Sequence, residues 1–370
     1  MEENMIQTLR LQHSEAVQFL PPKSGNARNS EGDFVRLKDG RILFAYSRYN
    51  GDSSHDDASC DIAGLFSDDN GQTFSEPVML VSAKEHNTLN LMSVSLLRLQ
   101  NGRLALFYLC KVDPYSEYYM RLANEDETAF GEAVKCFPHD EECYYVVNNA
   151  RVIQLQNGRL LVPAARHEVK TRADGSRNAQ YFAKSRVFGS DDDGQTWKDL
   201  SGLIAMPDPG YSETGLQEPG LVELPDGRVY QYFRTDRMFQ FESFSADRGE
   251  TWTKPIASRF TAPESPMLIR RNPFSGQYVA LWNPVPLYNG RIGRNEPWVH
   301  AGRTPFVIAV SDDGVAFSDY AVIENEPDHG YCYPSVFFLN EKEMILSYCS
   351  GGPEDDNCLT KTTIRKITIE

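Results

Sequence analysis

Short apolar segments alternate with polar turns along the whole chain, and the alternation is regular enough to predict the architecture. In six places an apolar strand runs into a tight turn and a second apolar strand leaves it; the turns are centred on residues 40, 102, 158, 227, 276 and 342. Four of these turns carry Asp-Gly or Asn-Gly, which between alternating apolar residues is the strongest short-range signal for a β-hairpin. The pattern predicts six similar units, one about every 60 residues.

A second motif recurs in the same phase as the hairpins. It reads Ser-x-Asp-x-Gly-x-Thr followed by an aromatic residue, with intact copies at residues 67–74, 190–197 and 245–252, a shortened copy at 311–317 and a weak one at 124–130. Ser and Asp side chains hydrogen-bond to turn backbone, Gly takes a positive φ, and the aromatic ring plugs the neighbouring core. The motif therefore predicts a second turn in each unit that carries it.

These two repeats predict an all-β fold. A unit of this size fits one four-stranded antiparallel blade, and six blades arranged radially make a six-bladed β-propeller. Because the two repeats run in phase, this arrangement is favoured over unrelated hairpins in a β-sandwich. No stretch has a sustained helical period, so helices should be few. We expect one domain over residues 1–370, in which residues 1–30 lead in and supply or flank the closing strand.

The composition of the chain narrows the classes of partner and cofactor that we expect it to bind. The net charge is −15 and the isoelectric point about 5.0, which argues against nucleic acid and anionic membranes. An anionic substrate would need a local cluster of arginines. The first 20 residues hold no apolar run of signal-peptide length. The seven cysteines lack metal-type spacing and suggest core thiols in the cytoplasm, and the seven histidines lack ligand spacing, so no cofactor or metal is expected.

The second motif is the Asp-box, also called the bacterial neuraminidase repeat, and with the six-fold period the whole chain resembles the sialidase (neuraminidase) superfamily. The resemblance implies that the Asp-boxes lie at the blade periphery and take no part in catalysis. It also implies three arginines on the substrate carboxylate, a Tyr nucleophile paired with a Glu, and an Asp acid/base. A neutral phenol suits this substrate, because a sialic acid carries its carboxylate on the anomeric carbon and would repel an anionic nucleophile.

The segment 218–234 is similar to the family's E-P-x-x-V-E-L-x-D-G-R stretch that ends in an arginine. The resemblance implies that Glu218 is the base that activates the tyrosine and that Arg234 is one of the three arginines, with Arg237 as the nearby alternative. Arg303 enters the strand that leads to the shortened Asp-box, where the family has its third arginine. Further along, residues 333–336 resemble the family's Y-S-x-L nucleophile segment.

That last match makes Tyr333 the candidate nucleophile. Tyr331 lies two residues earlier, on the same side of an extended chain, and is the rival. Asp56, on the loop before the first Asp-box, matches the family's acid/base, and Asp57 is its alternative.

The family's Arg-Ile-Pro is absent before the first hairpin, and Arg28 is the nearby arginine that could replace it. Glu31 and Asp33 lie close enough to pair with Arg28. Such pairing would weaken the carboxylate pocket or adapt it to another group.

Further polar clusters could contribute substrate contacts or are ordinary turn and surface residues: Asn148, Asn149, Arg151, Arg166 and His167, and the segment 298–300 that could wall a sugar pocket. The function expected from the resemblance is an exo-α-sialidase-like retaining glycoside hydrolase acting on a sialylated or other acidic glycan. Two alternatives remain: a glycosidase or lyase for another acidic sugar such as a uronate, and a non-catalytic carbohydrate-binding propeller.

Overall fold

The structure, a computed structural model, describes residues 9–112, 114–137, 143–284 and 302–370. Over these ranges the chain forms 25 strands and two short 3-10 turns, Ala83–His86 and Pro209–Tyr211. None of the helices in these ranges has the length and apolar character needed to cross a membrane. The all-β class predicted from the sequence is confirmed.

Within the described ranges, the strands form five sheets, and the largest joins two antiparallel units through one parallel bridge between Cys60 and Asn90. Counted in this way, the strands of these ranges make six antiparallel units. The first holds β2 (Arg28–Arg36), β3 (Ile42–Tyr49), β4 (Cys60–Ser67) and β5 (Val78–Val81); the second holds β6 (Asn90–Arg98), β7 (Leu104–Val112), β8 (Tyr115–Ala123) and β9 (Phe130–Lys135). The third holds β10 (Cys143–Val146), β11 (Ile153–Gln154), β12 (Leu160–Thr171), β13 (Arg177–Ser190) and β14 (Lys198–Asp199). Here β10 and β11 are two segments along one edge of β12.

The other three units follow the same plan. The fourth holds β15 (Gln217–Glu223), β16 (Val229–Arg234), β17 (Phe239–Ser245) and β18 (Ile256–Thr261); the fifth holds β19 (Leu268–Arg271), β20 (Tyr278–Trp282), β21 (Phe306–Ser311) and β22 (Ala321–Glu324). The sixth holds β23 (Cys332–Phe338), β24 (Glu343–Cys349) and β25 (Thr362–Ile369), and β1 (Leu11–Leu20) pairs with β25 as its fourth strand. We call the strand that runs into the first turn of each unit its lead strand: β2, β6, β10 with β11, β15, β19 and β23.

Apolar clusters lie between successive units. The cluster around Leu106 joins the first two units, and equivalent clusters join each following pair up to the fifth and sixth. One further cluster packs Phe44 of the first unit against Ile345 and Ile364 of the sixth. Each unit therefore buries both faces of its sheet against its two neighbours, which explains why the strands carry apolar residues on both faces.

The Asp-box turns hold themselves together through side chains. Ser67 Oγ accepts a hydrogen bond from the Gly71 amide (2.8 Å), and Asp69 Oδ1 accepts from the Thr73 amide (2.9 Å) while Oδ2 accepts from Thr73 Oγ1 (2.6 Å). Glycine suits position 71, because its φ is 77° and a Cβ there would lie 2.1 Å from Ile345 Cδ1 and force that side chain to move. The copies at 190–197 and 245–252 repeat these bonds. The hydrogen bonds within each Asp-box thus stabilise the turn itself.

We expect Asp69→Ala to lower the free energy of unfolding by about 1–3 kcal/mol, because several hydrogen bonds to one charged group are lost. Desolvation raises the pKa of Asp69, but the bonds from Thr73 and Ser67 outweigh it and lower the pKa from 3.8 to about 2. The difference from wild type should therefore be full above pH 4 and shrink as the pH falls towards 2. Urea unfolding at several pH values measures it, with Asp68→Ala in the same turn as the control; equal losses in both variants would contradict the prediction.

Candidate active site

The lead strands of four units, and the gap between β10 and β11 in the third, share one irregularity. Five residues at these places have left-handed backbone, with φ between 46° and 60°: Glu31, Ser93, Ala150, Glu218 and Tyr333. At four of them the strand register slips, as in a β-bulge. Non-glycine residues seldom adopt this backbone, and bulges re-aim side chains at functional sites. The bulges therefore mark one level of the lead strands as the place to look for chemistry.

Tyr333 and Glu218 meet at this level although 115 residues separate them. The Tyr333 hydroxyl donates a hydrogen bond of 2.8 Å to Glu218 Oε1, and the residues are only 7% and 8% exposed. Burial raises the pKa of Tyr333 well above its usual value, and the Glu218 carboxylate raises it further. Burial would also raise the pKa of Glu218, but the charge and hydrogen bond of Arg234 more than offset this and leave it lowered. The pair is therefore a neutral phenol facing an ionised carboxylate.

Arg234, the last residue of β16, orients this pair. Its Nη1 donates to Glu218 Oε1 at 2.7 Å and lies 3.5 Å from the Tyr333 hydroxyl, while its Nη2 donates to Glu264 Oε1 at 2.8 Å. The alternative, Arg237, instead places its guanidinium 5.9 Å from the ring centre of Tyr211. The structure thus brings Arg234 to the candidate site.

Arg303 lies over the ring of Tyr333. Its guanidinium carbon lies 5.6 Å from the centre of the Tyr333 ring. Its Nη1 donates to Cys332 Sγ at 3.2 Å, and its Nη2 donates to the Glu264 carbonyl oxygen at 3.3 Å. Two buried arginines, Arg234 and Arg303, therefore lie close to the phenol.

Arg28 and Asp56 form an ion pair. Arg28 Nη1 lies 2.5 Å from Asp56 Oδ1, the guanidinium stacks 4.4 Å from the centre of the Tyr49 ring, and Nη2 lies 3.5 Å from Glu31 Oε1. Burial raises the pKa of Asp56, but the charge of Arg28 outweighs it and leaves the pKa lowered. Asp33 does not pair with Arg28; its carboxylate lies 3.6 Å from Arg270. Arg28 is therefore already engaged by carboxylates.

The structure separates the alternative residues from the first choices. Asp57 is 91% exposed at its side chain and pairs with Lys111 at 2.8 Å. Tyr331 packs in the apolar cluster between the fifth and sixth units, with its ring 6.1 Å from that of Tyr348. The expectation that Tyr331 and Tyr333 project to the same side was wrong, because the left-handed backbone at Tyr333 interrupts the two-residue alternation of the strand.

Glu264 was not among the residues predicted from the sequence. It joins the candidate site by binding Arg234 and by accepting a 2.5 Å hydrogen bond from the Tyr181 hydroxyl. It lies in a loop between β18 and β19 without a recognisable motif. Among the other clusters, Arg151 Nη1 donates to the Tyr232 hydroxyl (3.3 Å) and His167 Nδ1 donates to a backbone carbonyl (2.9 Å). The segment 298–300 lies outside the described residues.

Asn149 supports the backbone at the nucleophile candidate. Its side-chain amide, 1% exposed, donates to the carbonyl oxygens of Gly32 (2.9 Å), Tyr333 (3.2 Å) and Pro334 (3.4 Å). It thereby ties the third unit to the lead strands of the first and sixth. Asn149 therefore positions the backbone of the bulge at Tyr333.

We expect Asn149→Ala to lower kcat about 100-fold, because small misplacement of a reacting group has effects of this size. Steady-state kinetics and thermal unfolding measure the effect. The matched control is Asn272→Ala, whose amide bridges to the Asn340 and Glu341 carbonyl oxygens away from the site (3.2 and 3.0 Å). Both variants should lose stability, and only Asn149→Ala should have a lower kcat. The same kcat in the two variants would contradict a positioning role for Asn149.

Comparison with known proteins agrees with the folding pattern. The model of the BNR repeat-like domain matches residues 56–344. A Dyadobacter fermentans protein of unknown function is similar over 99% of this chain and 100% of its own, with 18% identity and a TM-score of 0.72. The Ruminococcus gnavus intramolecular trans-sialidase, solved with oseltamivir carboxylate, is similar over 95% and 96%, with 15% identity and a TM-score of 0.65.

A longer relative shares the fold as well. The Trypanosoma rangeli sialidase, solved in complex with sialic acid, is similar over 96% of this chain but only 58% of its own, with 15% identity and a TM-score of 0.68. This chain thus spans little more than half of that enzyme. A search of curated proteins gave no match.

Proposed function

The chain belongs to the BNR repeat-like family, and from that premise we propose that it is a sialidase-like retaining glycoside hydrolase that releases a terminal nonulosonic acid from an acidic glycan. The observation that carries the proposal is the buried hydrogen bond between Tyr333 and Glu218, with Arg234 and Arg303 close by. Tyrosines elsewhere in the chain also bond carboxylates, as Tyr230 does with Glu242. Tyr333 adds to such a bond a left-handed bulge backbone and two buried arginines close to its ring and hydroxyl.

In the proposed first step, the Tyr333 oxygen attacks the anomeric carbon as its proton passes to Glu218 Oε1. Asp56 donates a proton to the departing glycosidic oxygen. In the second step Asp56 takes a proton from water, the water oxygen attacks the anomeric carbon, and Tyr333 leaves and recovers its proton from Glu218. The stereochemistry is retained because two displacements occur.

The ion pair of Arg28 with Asp56 fits this sequence. A substrate carboxylate that binds Arg28 competes with Asp56 for the guanidinium. When Asp56 is released from Arg28, its pKa rises, because the positive charge that lowered the pKa now pairs with the substrate carboxylate. Substrate binding would thus convert Asp56 from a counter-ion into a proton donor. Arg28, Arg234 and Arg303 together would hold the acid group.

The proposal includes a six-bladed β-propeller in one domain. Its support is the chain of apolar clusters that joins each unit to the next and the sixth unit to the first. A closed ring of this kind places the lead strands around one axis. The bulge residues would then face one another across that axis, and the contact between Tyr333 and Glu218 agrees with this.

A second candidate is hydrolysis of another acidic sugar such as a uronide. The observation in its favour is the occupancy of Arg28 by Asp56 and the presence of Glu31 at 3.5 Å. An acid group that sits elsewhere on the sugar ring would leave this ion pair in place.

The test is turnover of an aryl α-sialoside and of aryl α- and β-glucuronides, with the released anomer followed by proton NMR. We expect the α-sialoside to react and the α-anomer of the free acid to appear first. Turnover of a glucuronide alone would move the assignment to the second candidate. If the folded protein turns over none of the three substrates, the proposed glycoside hydrolase function is wrong.

A further inference from the structure

Glu31 occupies the same structural position as the two residues that carry the proposed chemistry. It lies in the lead strand of the first unit, at the bulge, with φ of 48° against 46° for Glu218 and 53° for Tyr333. The corresponding residues of the second and third units are Ser93 and Ala150, which are small. At this level of the lead strands, Glu31 is therefore the third large polar side chain.

One oxygen of Glu31 has no partner. The residue is 4% exposed, its Oε1 faces Arg28 Nη2 at 3.5 Å, and no group of the described residues hydrogen-bonds to its buried Oε2. A buried carboxyl oxygen without a hydrogen-bond partner is unfavourable, and in a folded protein such an atom calls for an explanation such as a functional role, a water molecule or an ion. The second oxygen of Glu218 is unpartnered in the same way. Both bulge carboxyls thus hold one buried oxygen that has no hydrogen-bond partner among the described residues.

The charges around Glu31 favour its neutral form. Asp56 pairs with Arg28, and Glu218 and Glu264 both pair with Arg234, so an ionised Glu31 would add a fourth carboxylate charge to the site. Asp56 holds Arg28 at 2.5 Å and leaves Glu31 only a 3.5 Å contact. Burial raises the pKa of Glu31 to about 8, with Arg28 opposing and Asp56 and Glu218 adding to the increase. At neutral pH the group is therefore a carboxylic acid with a proton to donate.

We propose that Glu31 is a substrate-binding residue whose carboxyl group donates a hydrogen bond from Oε2 to the acid group of the sugar. This inference rests on the proposed function, since it assumes an acidic sugar beside Tyr333. An ionised Glu31 would repel that sugar. Substrate affinity should therefore be constant below pH 8 and fall about tenfold for each pH unit above it, because the protonated fraction falls by that factor.

Several other groups face Glu31 from the strands packed against it and could contribute to a pH profile. Besides Arg28 they are Tyr49, Asp56, Cys60, Glu218, Tyr333 and Cys349. Of these, Cys349 has a lowered pKa of about 7, since the hydrogen bonds from Cys332 and Ser30 outweigh desolvation. The experiment must therefore separate Glu31 from Cys349.

The test compares wild type, Glu31→Gln and Cys349→Ser between pH 6 and 9.5. Glutamine keeps a hydrogen-bond donor and cannot ionise, so Glu31→Gln should show a KM that no longer rises above pH 8. Wild type and Cys349→Ser should both show the rise. Glu223→Gln is the matched control. Glu223 ends β15 and lies at the end of that strand away from Glu218, so this variant should behave as wild type.

An independent readout needs no turnover. Infrared difference spectra of wild type minus Glu31→Gln should show a carboxylic-acid band at pH 7 that disappears with a midpoint near pH 8. If no glycoside is hydrolysed, calorimetric titration with free N-acetylneuraminate and with glucuronate replaces KM. Binding that weakens above pH 8 in wild type alone would sustain the inference without the hydrolase.

Three outcomes would overturn the role of Glu31. The first is an ionised Glu31 at pH 7 in the infrared spectra. The second is an identical pH dependence of KM, or of the dissociation constant, in wild type and Glu31→Gln. The third is failure of both acids to bind when turnover is also absent, which would remove the acidic sugar itself.

Discussion

Tyr333→Phe is expected to abolish turnover, with kcat lower by about 10⁴-fold or more, since removing a nucleophile that acts as part of a unit has effects of that size. The ring keeps its packing against Cys332, Cys349 and Cys358, and Glu218 keeps its ion pair with Arg234. Folding should therefore survive. Rates on an aryl α-sialoside, beside circular dichroism and thermal unfolding, measure both parts of the prediction.

The control for this variant is Tyr331→Phe. That hydroxyl lies in the core between the fifth and sixth units, so its removal should leave kcat near the wild-type value. A Tyr333→Phe enzyme that works at the wild-type rate would disprove the nucleophile. Loss of activity in Tyr331→Phe at unchanged stability would point to the rival tyrosine.

The second large effect is expected for Glu218→Gln. Glutamine can still accept the Tyr333 hydrogen bond but cannot take its proton, so kcat should fall about 10³-fold, within the range for general-base catalysis. Because the two residues act as a unit, Glu218→Gln combined with Tyr333→Phe should be about as slow as Tyr333→Phe alone. Loss of the carboxylate charge should also lower the pKa of Tyr333, which ultraviolet difference titration measures.

The chain offers a matched control for this pair. Tyr230 donates a 3.0 Å hydrogen bond to Glu242, and this pair joins two adjacent strands of the fourth unit. Glu242→Gln should leave kcat unchanged. Multiplying effects in the double variant, or equal loss in both Glu→Gln variants, would contradict the assignment of Glu218 as the base.

Local chemistry explains what the sequence predicted. Asn-Gly and Asp-Gly turns and the Asp-box are made by neighbouring residues, as the bonds of Asp69 to Thr73 show, so their positions follow from the chain alone. Six regularly spaced turns then indicated six antiparallel units. The lead-in segment also has a defined place, since β1 pairs with β25.

The candidate site depended on features that are not local. The left-handed backbone at Glu31 and Tyr333 arises from strand pairing, and the two-residue alternation used for Tyr331 fails because of it. Glu264 reaches Arg234 only through the course of its loop. The motif match drew attention to Glu218 and Tyr333, but their contact, and the hold of Asp56 on Arg28, could be read only from the structure.

The pairing of β1 with β25 has a consequence for biosynthesis. Residues 11–20 bond to residues 362–369, so the sixth unit cannot be completed while the ribosome still holds the last of these. The first five units emerge earlier and can form as they appear. Until the sixth unit is complete, Phe44 of the first unit and Ile345 of the sixth cannot pack against each other. A nascent chain stalled before residue 362 should therefore remain sensitive to protease at its first and fifth units, and chaperones would be needed over that interval.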